Sequence, residues 1–118
     1  MAVVTTHLLN SVRGTHARGV GIGLVRIEPS GARTIVFERN TDAGGRLAET
    51  VPIPKEHTDA QYELVFQTGE YFIAQSLPQS TSQIVKEVVI RFSMPDSNAS
   101  YHIPLMIAPN SYSVWWSG

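Results

Sequence analysis

The chain has 118 residues, 42% of them hydrophobic, and nine basic against ten acidic residues give a formal net charge of −1. This length is typical of one domain, so we predict a single domain over residues 1–118. The near-neutral charge argues against nucleic-acid and anionic-membrane partners, and the absence of cysteine excludes disulfides and a cysteine nucleophile. No segment reaches the ~20 apolar residues of a membrane helix. Residues 1–10 lack the basic start of a signal peptide, so we expect a cytoplasmic protein.

Short β-rich runs separated by turn residues favour an all-β sandwich. The first run covers residues 3–10. In the second, over 20–27, apolar residues alternate with Gly21 and Gly23 and change phase after Leu24, which predicts a β-bulge or a bend. Further strands are predicted over 34–37, 62–66, 84–92, 101–107 and 112–116, and a short helix over 70–77 is ended by Pro78. The sandwich should therefore have about eight strands and one short helix.

Four histidines stand at positions 7, 16, 57 and 102. Their spacing matches no local metal-binding motif, so no metal or other cofactor is expected, although a metal site assembled from distant strands stays open. His16 and His57 fall in predicted loops and should be solvated. His7 and His102 each interrupt an apolar strand. Each is either a buried histidine bonded to the backbone or a functional imidazole.

Two further features allow a structural and a functional explanation. Arg46 follows the glycine pair at 44–45 and, taken alone, is an exposed loop arginine. Trp115 and Trp116 end the last predicted strand, one on each face. Indole rings are favoured at protein interfaces, and they also form walls of ligand pockets.

Several segments together resemble the 5-hydroxyisourate hydrolase family, the enzymatic relatives of transthyretin. In chain order these are TTHLLN at 5–10 with RG at 13–14, TDAGGRL at 41–47, TGEYF at 68–72, EVVIRF at 87–92, YHIPL at 101–105 and APNSYS at 108–113. The match follows the family's order over nearly the whole chain, which makes it specific. The resemblance implies a transthyretin-like (prealbumin-like) β-sandwich.

The resemblance also implies an activity. Hydrolases of this family have histidines at the positions of His7 and His102 that transthyretin lacks, and this chain keeps both, with Arg46 in the matching loop. These residues are implied to line a site between the dimers of a homotetramer and to hydrolyse a ring amide of 5-hydroxyisourate, a small purine-derived product of urate oxidation. The histidines would activate water and transfer protons, in an order left open. Arg46 would bind the carbonyl oxygens.

The C-terminal tail departs from the family pattern. Where the family ends in Tyr-Arg-Gly-Ser, this chain has Trp115, Trp116, Ser117 and Gly118, which we predict to bind substrate. Exchanging the tail arginine for tryptophan removes a charge and adds apolar surface. One alternative is therefore a repurposed enzyme that catalyses hydrolysis, cyclisation or another proton transfer on a more apolar molecule in a biosynthetic pathway. A second alternative is a non-catalytic tetramer that binds a small ligand. Elsewhere, His16 replaces a loop proline of the family.

Overall fold

The computed structural model describes residues 1–75 and 82–118. Over these residues the elements are β1 Ala2–Asn10, β2 Thr15–His16, β3 Gly21–Ile27, β4 Arg33–Asn40, β5 Arg46–Val51, a 3-10 helix Lys55–His57, β6 Gln61–Phe66, α1 Thr68–Ala74, β7 Val88–Ser93, β8 Ser100–His102, β9 Leu105–Ala108 and β10 Ser111–Val114. Within these ranges, no helix has the length and apolar character needed to cross a membrane.

The strands form two sheets. In the six-stranded sheet, β1 pairs antiparallel with β2 and β5 and parallel with β8 and β9, and β10 pairs with β9. The four-stranded sheet has the order β4, β3, β6, β7, with antiparallel neighbours throughout. The predicted all-β sandwich with one short helix is confirmed.

Strand β1 lies at the centre of the six-stranded sheet and separates the core from the outer face. Buried and partly exposed residues alternate along its whole length, because successive side chains of a strand point to opposite faces. Val4 and Leu8 are fully buried in the core between the sheets. The intervening residues, which include Thr5 and His7, therefore point to the outer face.

The predicted β-bulge is present in β3. Its pairing with β4 shifts register between Leu24 and Val25, where the apolar pattern changes phase. Leu24 is buried whereas Val25 is only partly buried. The phase change in the sequence is therefore matched by an irregularity in the ladder.

Helix α1 begins at Thr68, slightly before the predicted start at residue 70. The predicted end at residues 77 and 78 lies outside the described residues. Tyr71 and Phe72 are the large side chains that the helix buries. The Tyr71 hydroxyl accepts a hydrogen bond of 3.1 Å from Asn10 Nδ2, which ties the helix to the end of β1.

Several predicted strand boundaries need correction. Strand β5 was not expected, and the strand predicted from residue 84 begins only at Val88. The run predicted over 101–107 is divided into β8 and β9 around Pro104, which has no backbone N–H to donate to a neighbouring strand. Strand β10 ends at Val114, so both tryptophans lie beyond it.

Candidate functional site

The register between β1 and β5 places His7 directly opposite Arg46. Because directly opposed residues share a face, the imidazole and the guanidinium lie together on the outer side of the sheet. The turn before β5 sets this register. The Asp42 carboxylate oxygen Oδ1 accepts hydrogen bonds of 2.9 Å from the backbone N–H groups of Gly44 and Arg46. Arg46 is thus the first residue of β5, and the prediction of a loop arginine is wrong.

Gly45 allows this turn to pack closely against β1. Its φ of +73° lies in the left-handed region, and an added Cβ would stand 2.5 Å from the Leu8 carbonyl oxygen and 3.1 Å from the Ala17 nitrogen. Its own carbonyl accepts a hydrogen bond of 2.8 Å from the Leu8 N–H. Only glycine combines this backbone conformation with this close approach.

Strand β8 brings His102 to the same face. His102 pairs with Thr5 in the parallel β1–β8 ladder, and its Nδ1 lies 2.8 Å from Thr5 Oγ1. Thr5 and His7 point to the same side of β1, since they are separated by one strand repeat. Among the residues that the structure describes, His102 Nε2 has no hydrogen-bond partner, which leaves it available to a ligand.

A groove of about 380 Å³ opens on this face, lined by residues that include Thr5, Asp42, Arg46, Ala48 and His102. The Arg46 side chain is exposed and forms no ion pair with any described residue. A guanidinium without a carboxylate partner is free to bind the oxygens of a planar ligand. The groove is therefore lined by a cation and the His102 imidazole, and the His7 imidazole lies opposite Arg46 on the same sheet face.

The surroundings of His7 favour its neutral form. Burial of the ring is the largest cause that lowers the pKa of His7 below 6.5, followed by the positive charge of Arg46 and by His16, while the Gly44 backbone acts in the opposite direction. The pKa of Asp42 is also lowered, mainly by the hydrogen bond from the Arg46 backbone. A neutral imidazole at pH 7 is able to accept a proton.

The four histidines do not all have the environments predicted for them. His7 and His102 are partly exposed on the outer face, so the explanation as buried histidines is wrong. His16 is exposed, as predicted, but it lies in β2, and its Nδ1 is 3.0 Å from His7 Nε2. His57 lies in the 3-10 helix, half-buried, with its Nδ1 2.9 Å from a carboxylate oxygen of Glu28.

The tail returns to the site after β10. His102 and Ser117 exchange both backbone hydrogen bonds, with donor–acceptor distances of 3.1 and 3.0 Å. Residues paired in this way project their side chains to the same face. Ser117 therefore stands beside His102 on the outer side of the sheet.

The tryptophans line a different groove. Trp115 and Trp116 border an apolar groove of about 500 Å³ together with Phe92 and Tyr101. Their side chains are 47% and 63% exposed, so neither ring is part of the core. Gly118 follows beside the Trp116 ring. The assignment of these three residues to substrate binding stays a prediction.

Comparison with known proteins identifies the family. Residues 4–116 match the model of the HIUase/Transthyretin family. The chain belongs to this family. The 5-hydroxyisourate hydrolase of Halalkalibacterium halodurans is 33% identical over 112 residues, which cover 95% of this chain and 94% of that protein. The resemblance predicted from the sequence motifs is thereby confirmed.

Solved structures of relatives have the same fold. The 5-hydroxyisourate hydrolase of Klebsiella pneumoniae superposes with a TM-score of 0.78 at 27% identity and covers 100% of both chains. A crystal structure of (S)-allantoin synthase superposes with a TM-score of 0.81 at 28% identity, covering 99% of this chain and 44% of the synthase chain. The transthyretin-like sandwich is thus shown along the chain.

Two residues beside the predicted site residues were not predicted from the sequence to have a role. Thr5 is hydrogen bonded to His102, and Asp42 organises the turn that carries Arg46. The sequence does indicate that Thr5 lies beside His7, because it precedes His7 by two residues in the same strand and therefore points to the same face. Asp42 was visible only as part of the family-like TDAGGRL segment at 41–47, with no role of its own.

Proposed function

We propose that this chain is a hydrolase that opens a ring amide of 5-hydroxyisourate with His7, Arg46 and His102. The observation that carries the proposal is the arrangement of these residues on one sheet face, with Arg46 opposite His7 and His102 held by Thr5. The relatives named 5-hydroxyisourate hydrolase, which match nearly the whole chain, add support. A carrier site would not require ionisable groups at all three positions.

The proposed reaction begins with water. His7 is the proposed base, because its surroundings lower its pKa and favour the neutral ring, which can take a proton from water. As the water oxygen bonds to the ring carbonyl carbon, negative charge develops on the carbonyl oxygen, and the Arg46 guanidinium donates hydrogen bonds to it. The C–N bond then breaks while His102 supplies a proton to the departing nitrogen. The second proton of the attacking water restores His102 as the new carboxylic acid ionises, so the products are a carboxylate, an N–H group and the one proton that His7 has taken.

The tail supplies the proposed substrate contacts. Support is strongest for Ser117, because its backbone pairs with that of His102, which lines the groove. Support for Trp115 and Trp116 is limited to the neighbouring aromatic groove that they line. Gly118, in place of the family's terminal serine, has no side chain with which to bind a ligand.

We further propose a cytoplasmic homotetramer whose groove lies between two dimers. The sequence resemblance implies this assembly, and the groove's position on the open outer face of the sheet is compatible with a second copy covering it. Light scattering should give about four times the 13.0 kDa of one chain. A monomer would contradict a site shared between copies.

The proposed function is tested by generating 5-hydroxyisourate with urate oxidase and following its absorbance with and without this protein. His102→Asn should lower the rate ~10²-fold or more, because asparagine is able to keep the Thr5 hydrogen bond but cannot exchange a proton at pH 7. His57→Asn makes the same change at a histidine bonded to Glu28 and should leave the rate unaltered. Full turnover by folded His102→Asn would contradict the assignment.

The aromatic groove favours one alternative, an enzyme repurposed for a flatter, more apolar substrate. It is lined by Trp115, Trp116, Phe92 and Tyr101 and adjoins the tail. If this alternative holds, the folded protein will not accelerate 5-hydroxyisourate decay but will hydrolyse or cyclise aromatic amides in an His102-dependent reaction. Binding without turnover of either substrate class would indicate a carrier.

A further inference from the structure

The proposed base is hydrogen bonded to a second histidine that the reaction above does not use. His16 stands opposite Leu9 in the β1–β2 ladder, so its side chain shares the outer face with Leu9 and His7. His16 Nδ1 lies 3.0 Å from His7 Nε2, with the ring centroids 5.1 Å apart and a tilt of 33° between the planes. Since both atoms are ring nitrogens, one must carry the hydrogen and the other must accept it.

The backbone around His16 is fixed, although its side chain is exposed. The next residue, Ala17, donates its N–H to the Leu8 carbonyl at 2.9 Å. On the other side, the position that a Gly45 Cβ would occupy is 3.3 Å from His16 Cβ, so the Arg46 turn packs directly against it. The contact between the two histidines is therefore set by β1, β2 and the turn before β5.

The charged and titratable groups that face His7 disfavour its protonated form. Arg46 on β5, His16 on β2 and His102 on β8 all lower the pKa of His7, after the larger effect of burial, whereas the hydrogen bond to the Gly44 backbone raises it. Asp42 is the neighbouring anion, and its pKa is itself lowered in part by His7. A proton gained by His7 is repelled by Arg46, and His16 provides a route for it to leave.

We propose that His16 is a positioning residue that acts through His7, selecting its tautomer and carrying its proton to solvent. This inference rests on the proposed function of His7 as base. With His16 Nδ1 as acceptor, neutral His7 keeps its hydrogen on Nε2 and its lone pair on Nδ1. When Nδ1 takes a proton from water, the Nε2 proton passes to His16 Nδ1, and His16 Nε2 releases its own proton to solvent. Hydrolysis to an ionised carboxylate releases one proton, which this route carries.

The relay is tested with two substitutions at the exposed His16 position. His16→Asn keeps an amide oxygen able to accept from His7 but cannot pass a proton, whereas His16→Ala removes both properties. Both variants should lower kcat ~10-fold with KM changed less than ~2-fold, as expected for partial loss of acid–base catalysis. Added imidazole should restore His16→Ala in proportion to its concentration. Wild-type kcat in His16→Asn would overturn the relay.

A second measurement does not depend on turnover. Nitrogen-15 spectra of the histidine rings should show the Nε2–H tautomer of His7 in the wild type. In His16→Ala the pKa of His7 should rise, because one cause of its lowering is gone. An unchanged tautomer and pKa would overturn the proposal. If the wild type fails to hydrolyse 5-hydroxyisourate, the proposed function fails, and these spectra still decide whether His16 controls His7.

Discussion

Replacing Gly45 with alanine should destabilise the fold and displace Arg46 at the same time. Gly45 has a φ of +73°, and an alanine Cβ would stand 2.5 Å from the Leu8 carbonyl oxygen. Both neighbours within 3.1 Å are backbone atoms, one of Leu8 in β1 and one of Ala17, which follows β2, so no side-chain rotation relieves the contact. The turn must move away from β1, and Arg46 moves with it.

The destabilisation caused by Gly45→Ala has two parts, one from the backbone conformation and one from the close contact. An alanine in the left-handed region costs roughly 1–2 kcal/mol. Forcing a methyl group into a packed site costs a further ~1–3 kcal/mol. Gly14→Ala is the matched control, because Gly14 has a φ of +70° with nothing within 4 Å of an added Cβ, so it carries the first part alone. Gly45→Ala should therefore lower the free energy of unfolding by ~1–3 kcal/mol more than Gly14→Ala does.

Urea unfolding of both variants, followed by circular dichroism, measures this difference. The hydrolysis assay then tests the displacement, and we expect kcat of Gly45→Ala to fall at least ~10-fold, because small misplacements of a binding group are costly. Gly14→Ala should keep wild-type kcat. Equal stability of the two variants would refute the close-approach argument, and wild-type kcat in Gly45→Ala would refute the link to Arg46.

Two further predictions concern side-chain hydrogen bonds. Thr5→Val should lower kcat by roughly 10-fold, because His102 Nδ1 loses its hydrogen-bond partner at 2.8 Å. Thr5→Ser keeps the hydroxyl and should retain most activity in the same assay. Equal rates for the two variants would show that the Thr5 hydroxyl does not contribute to catalysis. Glu63 accepts hydrogen bonds from Arg33 and Arg91, which lower its pKa below 4.5 in the folded state. Ionised Glu63 therefore stabilises the fold above pH 4.5, and this stabilisation is lost as the pH falls through the lowered pKa. The urea midpoint of the wild type should therefore exceed that of Glu63→Gln at pH 7, and the two midpoints should approach each other in acid. A difference between the midpoints that does not change with pH would contradict the stabilising effect assigned to ionised Glu63.

Periodicity in the sequence predicts the fold wherever burial alone decides the structure. The β-rich run at 3–10 and the phase change after Leu24 are both reproduced, as β1 and as the register shift in β3, because one face of each strand is covered by the other sheet. Strand β5 was missed because its outward residues are polar or small and only Leu47 and Val51 are deeply buried. Its strand character comes from pairing with β1, which is not visible in a local window.

The candidate site could be predicted only through resemblance. His7, Arg46 and His102 come from three strands, and their association depends on the registers of two ladders. No spacing in the sequence encodes those registers. The contact between His7 and His16 has the same origin, since the short turn between β1 and β2 folds His16 back beside His7.

The central position of β1 has a consequence for synthesis on the ribosome. Thr5 and His102 are 97 residues apart, and β1 also pairs with β9 further along the chain. Translation proceeds in one direction, so β1 is synthesised before β8 and β9 and must wait for them before its parallel side is paired. We expect β1 to be the segment most exposed to chaperones and to aggregation during this interval, since long-range pairing is slow. The groove cannot assemble until His102, which lines it, has been synthesised.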